Sequence, residues 1–126
     1  MIKGIGIDII EIERIRGVIE KHGDHFYERI FTPKEIAYCK AKKKNALLHF
    51  AGRFAAKEAA VKALGTGFSG GIAWTDIEIL NECSGRPVMT FSGKAAAAYA
   101  ATGGTTTHVS ISHSKGYAAS QVVIEG

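Results

Sequence analysis

Cysteine is scarce: the chain holds only Cys39 and Cys83, far apart and without metal-binding spacing. That excludes a disulfide scaffold or a thiolate metal site and points to a reducing compartment. Long apolar runs are also missing. The N-terminal stretch MIKGIGIDIIEIE is apolar, but acids interrupt it from Asp8 onward, which predicts neither a signal peptide nor a membrane span and a cytoplasmic protein. Aromatic residues make up 9% of the chain and are scattered. They are not interleaved with basic residues as a nucleic-acid surface would have them. There are no repeats and no linker, so residues 1–126 are expected to form one domain.

What is present is an ordinary globular balance, with 46% hydrophobic and 22% charged residues and a net charge of +4. The modest basic excess suits anionic partners, and serves plain solubility equally well.

Hydrophobic periodicity predicts an α+β chain. Ile2–Ile10 reads as a strand with isoleucine on both faces, hence buried on both. Gly4, Gly6 and Asp8 share one face of it, where the glycines leave room for a ligand or another backbone. Glu11–His22 reads as a helix with the stripe Ile12, Ile15 and Ile19, while Arg14, Val18 and Lys21 repeat the spacing on a neighbouring face. A short helical piece over His25–Phe31 follows. Thr32-Pro33-Lys34-Glu35 is a capping box opening a helix to about Lys42. The basic run Lys42–Lys44 then connects to a long helix, Asn45–Leu64, ended by Gly65. Strands are expected over Trp74–Asn81 and Val88–Phe91, joined by a turn through Arg86 and Pro87. An alanine-rich helix over Lys94–Ala101 and a hairpin of Thr105–Ser114 with Tyr117–Glu125 complete the chain.

The chemistry gathers on few positions. Glu58, Lys62 and Gly65 fall at i, i+4 and i+7 on the long helix, whose other faces are mostly alanine. Taken alone, Glu58 and Lys62 would be a surface ion pair of a few tenths of a kcal/mol. Asp8 shifts that balance, because a carboxylate in an apolar strand needs a cation unless it caps the following helix. Asp8 and Glu58 together would form a hard oxygen site suited to Mg²⁺, which leans on water and substrate phosphates for its remaining ligands. Lys62 would stabilise phosphate charge, and the turn Gly65-Thr66-Gly67 lets backbone approach a ligand. In SISHS, residues 110–114, His113 reads either as a core histidine or as a binding residue beside a turn. The other histidines, His22, His25, His49 and His108, show no ligand spacing.

The stretches GIGIDIIEIERI, RFAAKEAAVKALGTG, DIEILNECSGRP and SISHSKGYAAS occur in this order along nearly the whole chain. They resemble the small bacterial 4′-phosphopantetheinyl transferases of the holo-acyl-carrier-protein synthase type. The segment Thr102–Thr107 resembles no motif of that family. The resemblance implies an antiparallel sheet packed on a long central helix, a homotrimer, and coenzyme A bound between subunits. It implies transfer of phosphopantetheine to a serine of apo acyl carrier protein, in the service of fatty acid biosynthesis, with adenosine 3′,5′-bisphosphate leaving. It places the metal carboxylates on Asp8 and Glu58 and the catalytic lysine on Lys62. Glu58 or a water molecule at the metal would take the serine proton, and the sequence does not choose between them. Coenzyme contacts would fall on Lys44, Arg53, Lys62, Gly65, Thr66, Gly67, Arg86, Pro87, Ser112 and His113. Arg53 and the run Lys42–Lys44 resemble the basic residues of the family that meet the 3′-phosphate of coenzyme A, and a solvated charged surface is the plainer reading of the same residues. The acidic carrier would dock on Arg14, Val18 and Lys21.

Two other classes share some of these residues. A metal-dependent phosphoesterase acting on coenzyme A would use the same carboxylates and need no protein acceptor. A non-catalytic polyanion-binding module would use the lysines, but lacks the expected stacking aromatics.

Overall fold

A computed structural model describes residues 1–126. Strand β1 (Ile2–Glu11) leads into helices α1 (Ile12–His22), α2 (Asp24–Ile30) and α3 (Pro33–Lys40), then the long helix α4 (Ala46–Leu64). Strands β2 (Ile77–Asn81) and β3 (Pro87–Phe91), helix α5 (Gly93–Thr102), and strands β4 (Thr106–His113) and β5 (Tyr117–Glu125) follow. The capping box at Thr32 forms as expected: Glu35 N donates to Thr32 Oγ1 at 3.3 Å and Thr32 N donates to Glu35 Oε1 at 2.9 Å. Gly65 ends α4 in the left-handed conformation, φ 79°.

Two boundaries differ from expectation. Helix α3 stops at Lys40, and Lys43–Asn45 winds into a separate 3₁₀ turn. Trp74–Asp76 is also a 3₁₀ turn rather than the start of a strand, because Ala73 N donates to Asp76 Oδ2 at 3.0 Å and closes the backbone locally.

Strands β1, β5 and β4 form an antiparallel sheet in that order, and β2 and β3 form a separate hairpin. Asp8 lies opposite Ser120 on β5, and Ser120 lies opposite Ile111 on β4. Helix α4 crosses one face of the sheet at backbone distance. A Cβ on Gly4 would sit 2.1 Å from Ala63 O, and one on Gly6 1.8 Å from Ala59 O. The room left by the two glycines is therefore filled by the backbone of α4, and the helix's alanines are what let it come so close.

The other face of β1 is open. Ile5, Ile7 and Ile9 are 55%, 63% and 66% exposed, beside Val123, Gln121 and Ala119 of β5. The strand is thus buried on one face only, and the expectation of two buried faces is corrected. A period-2 row of isoleucine records that a face is apolar, not what covers it.

Two cores flank α4. Ala56, Ala59 and Ala60 pack with Val122 and Ile124 of β5 and with Ile77, Ile79 and Met89 of the hairpin. Ile12, Ile15, Phe26, Phe31 and Phe50 fill the space beneath α1–α3.

Candidate functional site

The first cluster lies where β1 meets α4. Strand alternation turns Asp8 toward the helix on the same face as Gly4 and Gly6. Lys62 Nζ donates to Asp8 Oδ1 at 3.1 Å and to the carbonyl oxygen of Ile7 at 2.9 Å. The surface pair of Glu58 with Lys62 does not form, since Lys62 reaches across to the strand instead. Nor does Asp8 cap α1, whose N-cap position is Glu11 with no side-chain cap. Glu58 is half-buried. Its carboxyl is pushed above the usual carboxylate range, first by burial and then by the charge of Asp8, with Lys62 and Arg14 opposing. The two acids therefore lie within each other's field, and Arg14 brings α1 to the same spot.

No group of three or more His, Cys, Asp or Glu side chains exists that could hold a metal ion. Two carboxylates in mutual repulsion remain, one of them already raised toward its neutral form. That donor set fits a hard divalent cation that takes its other ligands from water and a bound phosphate, as Mg²⁺ does. It does not fit a closed structural site.

The second cluster lies on the opposite flank of α4. Arg53 is buried, not the solvated surface charge of the plainer reading. Its Nε donates to Ile79 O at 3.1 Å and its Nη2 to Asn81 Oδ1 at 2.6 Å. The guanidinium carbon lies 4.3 Å from the centre of the Tyr38 ring. Nη1 has no partner within the chain and is not sealed off. Arg53 lines a small cavity of about 150 Å³ with His49, Asn81, Pro87, Ile111 and His113. No carboxylate lines it. His113 is exposed at this cavity rather than held in the core.

Of the expected coenzyme residues, Arg53, Pro87 and His113 thus come together. Others stand apart. Ser112 is exposed on the opposite face of β4. Arg86 is exposed and its Nε donates to Glu82 at 2.9 Å. Lys44 is exposed in the 3₁₀ turn, on a groove it shares with Arg16 and Tyr27. Gly65, Thr66 and Gly67 form the turn beyond α4, with Thr66 Oγ1 donating to Gly67 O at 2.8 Å. On α1, Arg14 and Lys21 are exposed, and the half-buried Val18 lines a groove of about 420 Å³ with Phe26, Arg29 and Trp74.

The two clusters face different ways. Arg53 and Glu58 are five residues apart on one helix, which turns them about 140° from each other. Asp8 and His113 sit on β1 and β4, edge strands about 10 Å apart with β5 between them, and His113 lies two residues further along, opposite Ala118 where Asp8 lies opposite Ser120.

Sequence reasoning missed His49, Asn81 and the partner of Lys57. His49 had one visible signal, its i, i+4 relation to Arg53. Asn81 had none. Lys57 was conspicuous as a charge among alanines, but its partner Glu35 lies 22 residues away.

A family model described as the 4′-phosphopantetheinyl transferase superfamily matches residues 4–122. A protein of Koribacter versatilis named holo-[acyl-carrier-protein] synthase is 52% identical over 125 residues, 99% of each chain. The crystal structure of holo-[acyl-carrier-protein] synthase from Neisseria meningitidis superimposes with a TM-score of 0.90 at 32% identity, covering 100% of both chains. That of a Bacillus anthracis holo-(acyl-carrier-protein) synthase, described as in complex with CoA (3′,5′-ADP), gives 0.81 at 42% identity, covering 98% of this chain and 96% of the other.

Proposed function

The chain belongs to the 4′-phosphopantetheinyl transferase superfamily, and from that premise we propose that it transfers the 4′-phosphopantetheine group of coenzyme A to a serine of apo acyl carrier protein. The serine hydroxyl gives up its proton to Glu58 or to water, its oxygen bonds to the phosphorus that bears pantetheine, the bond from that phosphorus to the bridging oxygen breaks, and adenosine 3′,5′-bisphosphate leaves. The observation that carries this reading is the full-length likeness to relatives of that name, in a chain that pairs two carboxylates and a lysine with a separate, acid-free basic cavity.

Asp8 and Glu58 are the residues that would hold Mg²⁺. Bound there, the ion would neutralise diphosphate charge and improve the nucleotide as a leaving group. Lys62 is half exposed and free to swing from Asp8 to a phosphate oxygen, where it would stabilise charge on the transferred group. Arg53, with Nη1 uncommitted, suits the 3′-phosphate of coenzyme A. Residues 1–126 would act as one transferase domain in the cytoplasm and serve fatty acid biosynthesis. No helix is long and apolar enough to cross a membrane.

A homotrimer follows from the same reading. One copy of the chain turns Arg53 and His113 away from Asp8 and Glu58. A neighbouring copy would join one cluster to the other and so make the site for one coenzyme A. The open row Ile5, Ile7 and Ile9 supports such an assembly, because an exposed apolar strip of this kind marks an interaction surface. The acidic carrier would dock on Arg14, Val18 and Lys21. Arg14 acts on the charge of Glu58, so a carrier held there would offer its serine beside the carboxylates.

The test is intact mass spectrometry of apo acyl carrier protein incubated with the protein, coenzyme A and Mg²⁺. A gain of one phosphopantetheine is expected. No adduct on several carriers with folded protein, or phosphopantetheine released without any carrier, would refute transfer to protein.

A further inference from the structure

We infer that His49 is a second ligand for the phosphate held by Arg53, and that it makes recognition of that phosphate pH-dependent; this rests on the reading that the cavity takes the 3′-phosphate of coenzyme A. His49 and Arg53 face the cavity from successive turns of α4. The ring of His113 comes from β4, its centre 6.1 Å from that of His49. Tyr38 of α3 meets His49 edge to face at 5.8 Å and also lies under the Arg53 guanidinium, so one ring orients both. Lys42, beyond α3, adds a further positive charge.

The groups whose charge acts on His49 are Arg53, Lys42 and His113, the phenol of Tyr38 meets its ring, and no carboxylate lines the cavity. Burial first, then Arg53, Lys42 and His113, hold the His49 imidazole below its ordinary value. Among these protein groups alone, His49 is accordingly neutral near pH 7. A phosphate monoester loses its second proton near pH 6. Entering as a dianion, it reverses the field at His49 and favours the imidazolium. The pKa of His49 then rises on binding, and one proton is taken up. The added affinity is present below the pKa of the bound state and is lost as pH rises through it.

Coenzyme A and 3′-dephospho-coenzyme A differ only in this phosphate, so the ratio of their affinities isolates it. Calorimetry on the intact protein should show the ratio rising by roughly three- to tenfold from about pH 8 to about pH 6.5, since one unit of coupled shift is tenfold. In His49→Gln, or His49→Phe if the glutamine variant folds poorly, the ratio should change by less than about twofold. In the wild-type protein, the His49 resonances should titrate at higher pH with coenzyme A than with 3′-dephospho-coenzyme A. A wild-type ratio well above one but flat with pH, or a slope that survives in the variant, overturns the role of His49 alone. A ratio near one at both pH values, unmoved in Arg53→Lys, overturns the reading of the cavity as well.

Discussion

Lys57 Nζ lies 2.7 Å from Glu35 Oε1, and neither side chain reaches solvent. The ammonium spends its other donors on Ile30 O at 2.7 Å and Trp74 O at 3.1 Å. The carboxylate also accepts from Thr32 N at 2.9 Å and Ile79 N at 2.8 Å. One pair thereby ties α2, α3, α4, β2 and the turn at Trp74 together with every polar atom satisfied. Lys57 directly precedes Glu58, so the hub also fixes the rotation of α4 that turns Glu58 toward β1. The charge among the alanines thus anchors the helix that carries Glu58 and Lys62.

Lys57→Met should cost about 3–5 kcal/mol in urea unfolding, because it strands a buried carboxylate. Replacing both partners, as in Lys57→Met with Glu35→Leu, should recover part of that loss. It should not recover all, since Thr32 N and Ile79 N then lose their acceptor. A single variant within about 1 kcal/mol of wild type would show that the pair contributes no more than a surface contact.

Two glycines should respond with opposite sign. Gly6→Ala drives a methyl to 1.8 Å from Ala59 O and 2.8 Å from Ala63 N, backbone that cannot rotate away. The cost should exceed about 3 kcal/mol, the upper range for side-chain overpacking. Asp8 would shift with the strand, so activity should fall too. Gly17→Ala meets nothing within 4 Å on the exposed surface of α1, and should gain about 0.5–1 kcal/mol. Thermal or urea unfolding of the two variants reads both signs.

The thiols should separate cleanly. Cys39 is fully buried and its pKa is pushed up to about 12, chiefly by burial, whereas Cys83 is exposed. Ellman's reagent should titrate one thiol in the native protein and two in denaturant. Because unfolding returns Cys39 to an ordinary pKa of 9.0, the unfolded chain loses that proton first. The share of stability that rests on this thiol is therefore whole below about pH 9 and declines as pH rises toward 12. Two thiols reacting at once in the native protein would contradict this burial.

The parts of the fold legible in the sequence are those set by neighbours along the chain. Thr32 and Glu35 cap one another across three residues, Gly65 ends α4, and alternation alone put Asp8 on the face of Gly4 and Gly6. The parts that were not legible depend on distant partners. Glu35 reads as a capping residue, and nothing near it announces Lys57. Lys62 reads as the partner of Glu58, one turn away, yet the strand brings Asp8 and Ile7 O within its reach. His49 and His113 meet only because α4 lies across β4. The isoleucines at 5, 7 and 9 signal an apolar face, and only the folded chain shows that its own residues leave that face open.

Ile7→Lys tests what covers that face. Ile7 is 63% exposed, at the centre of the row, so a charge there should do little to the isolated chain. In the proposed homotrimer it would be buried against a neighbour, at a cost of several kcal/mol if unpaired. Light scattering should report a trimer for the wild-type protein and a smaller species for Ile7→Lys. A wild-type monomer at working concentration, or a variant that stays trimeric, would remove this face from the assembly.

Asp8→Asn and Glu58→Gln test the carboxylate pair itself. Each keeps the shape of the side chain and removes one negative charge. The Lys62–Asp8 pair is partly exposed, so its loss should move stability by less than about 1 kcal/mol. In Asp8→Asn the charge that pushes up Glu58 is gone, so the Glu58 carboxyl should titrate at lower pH than in the metal-free wild type. Phosphopantetheine transfer should nevertheless fall by about a hundredfold or more in either variant, each factor of ten being 1.36 kcal/mol of lost transition-state stabilisation. Chelation of divalent cations should abolish transfer by the wild-type protein, and added Mg²⁺ should restore it. Folded variants with near-normal rates would mean that the two acids sit together for some purpose other than the reaction. If Glu58 titrates unchanged in Asp8→Asn, the electrostatic coupling that joins the acids into one site is absent.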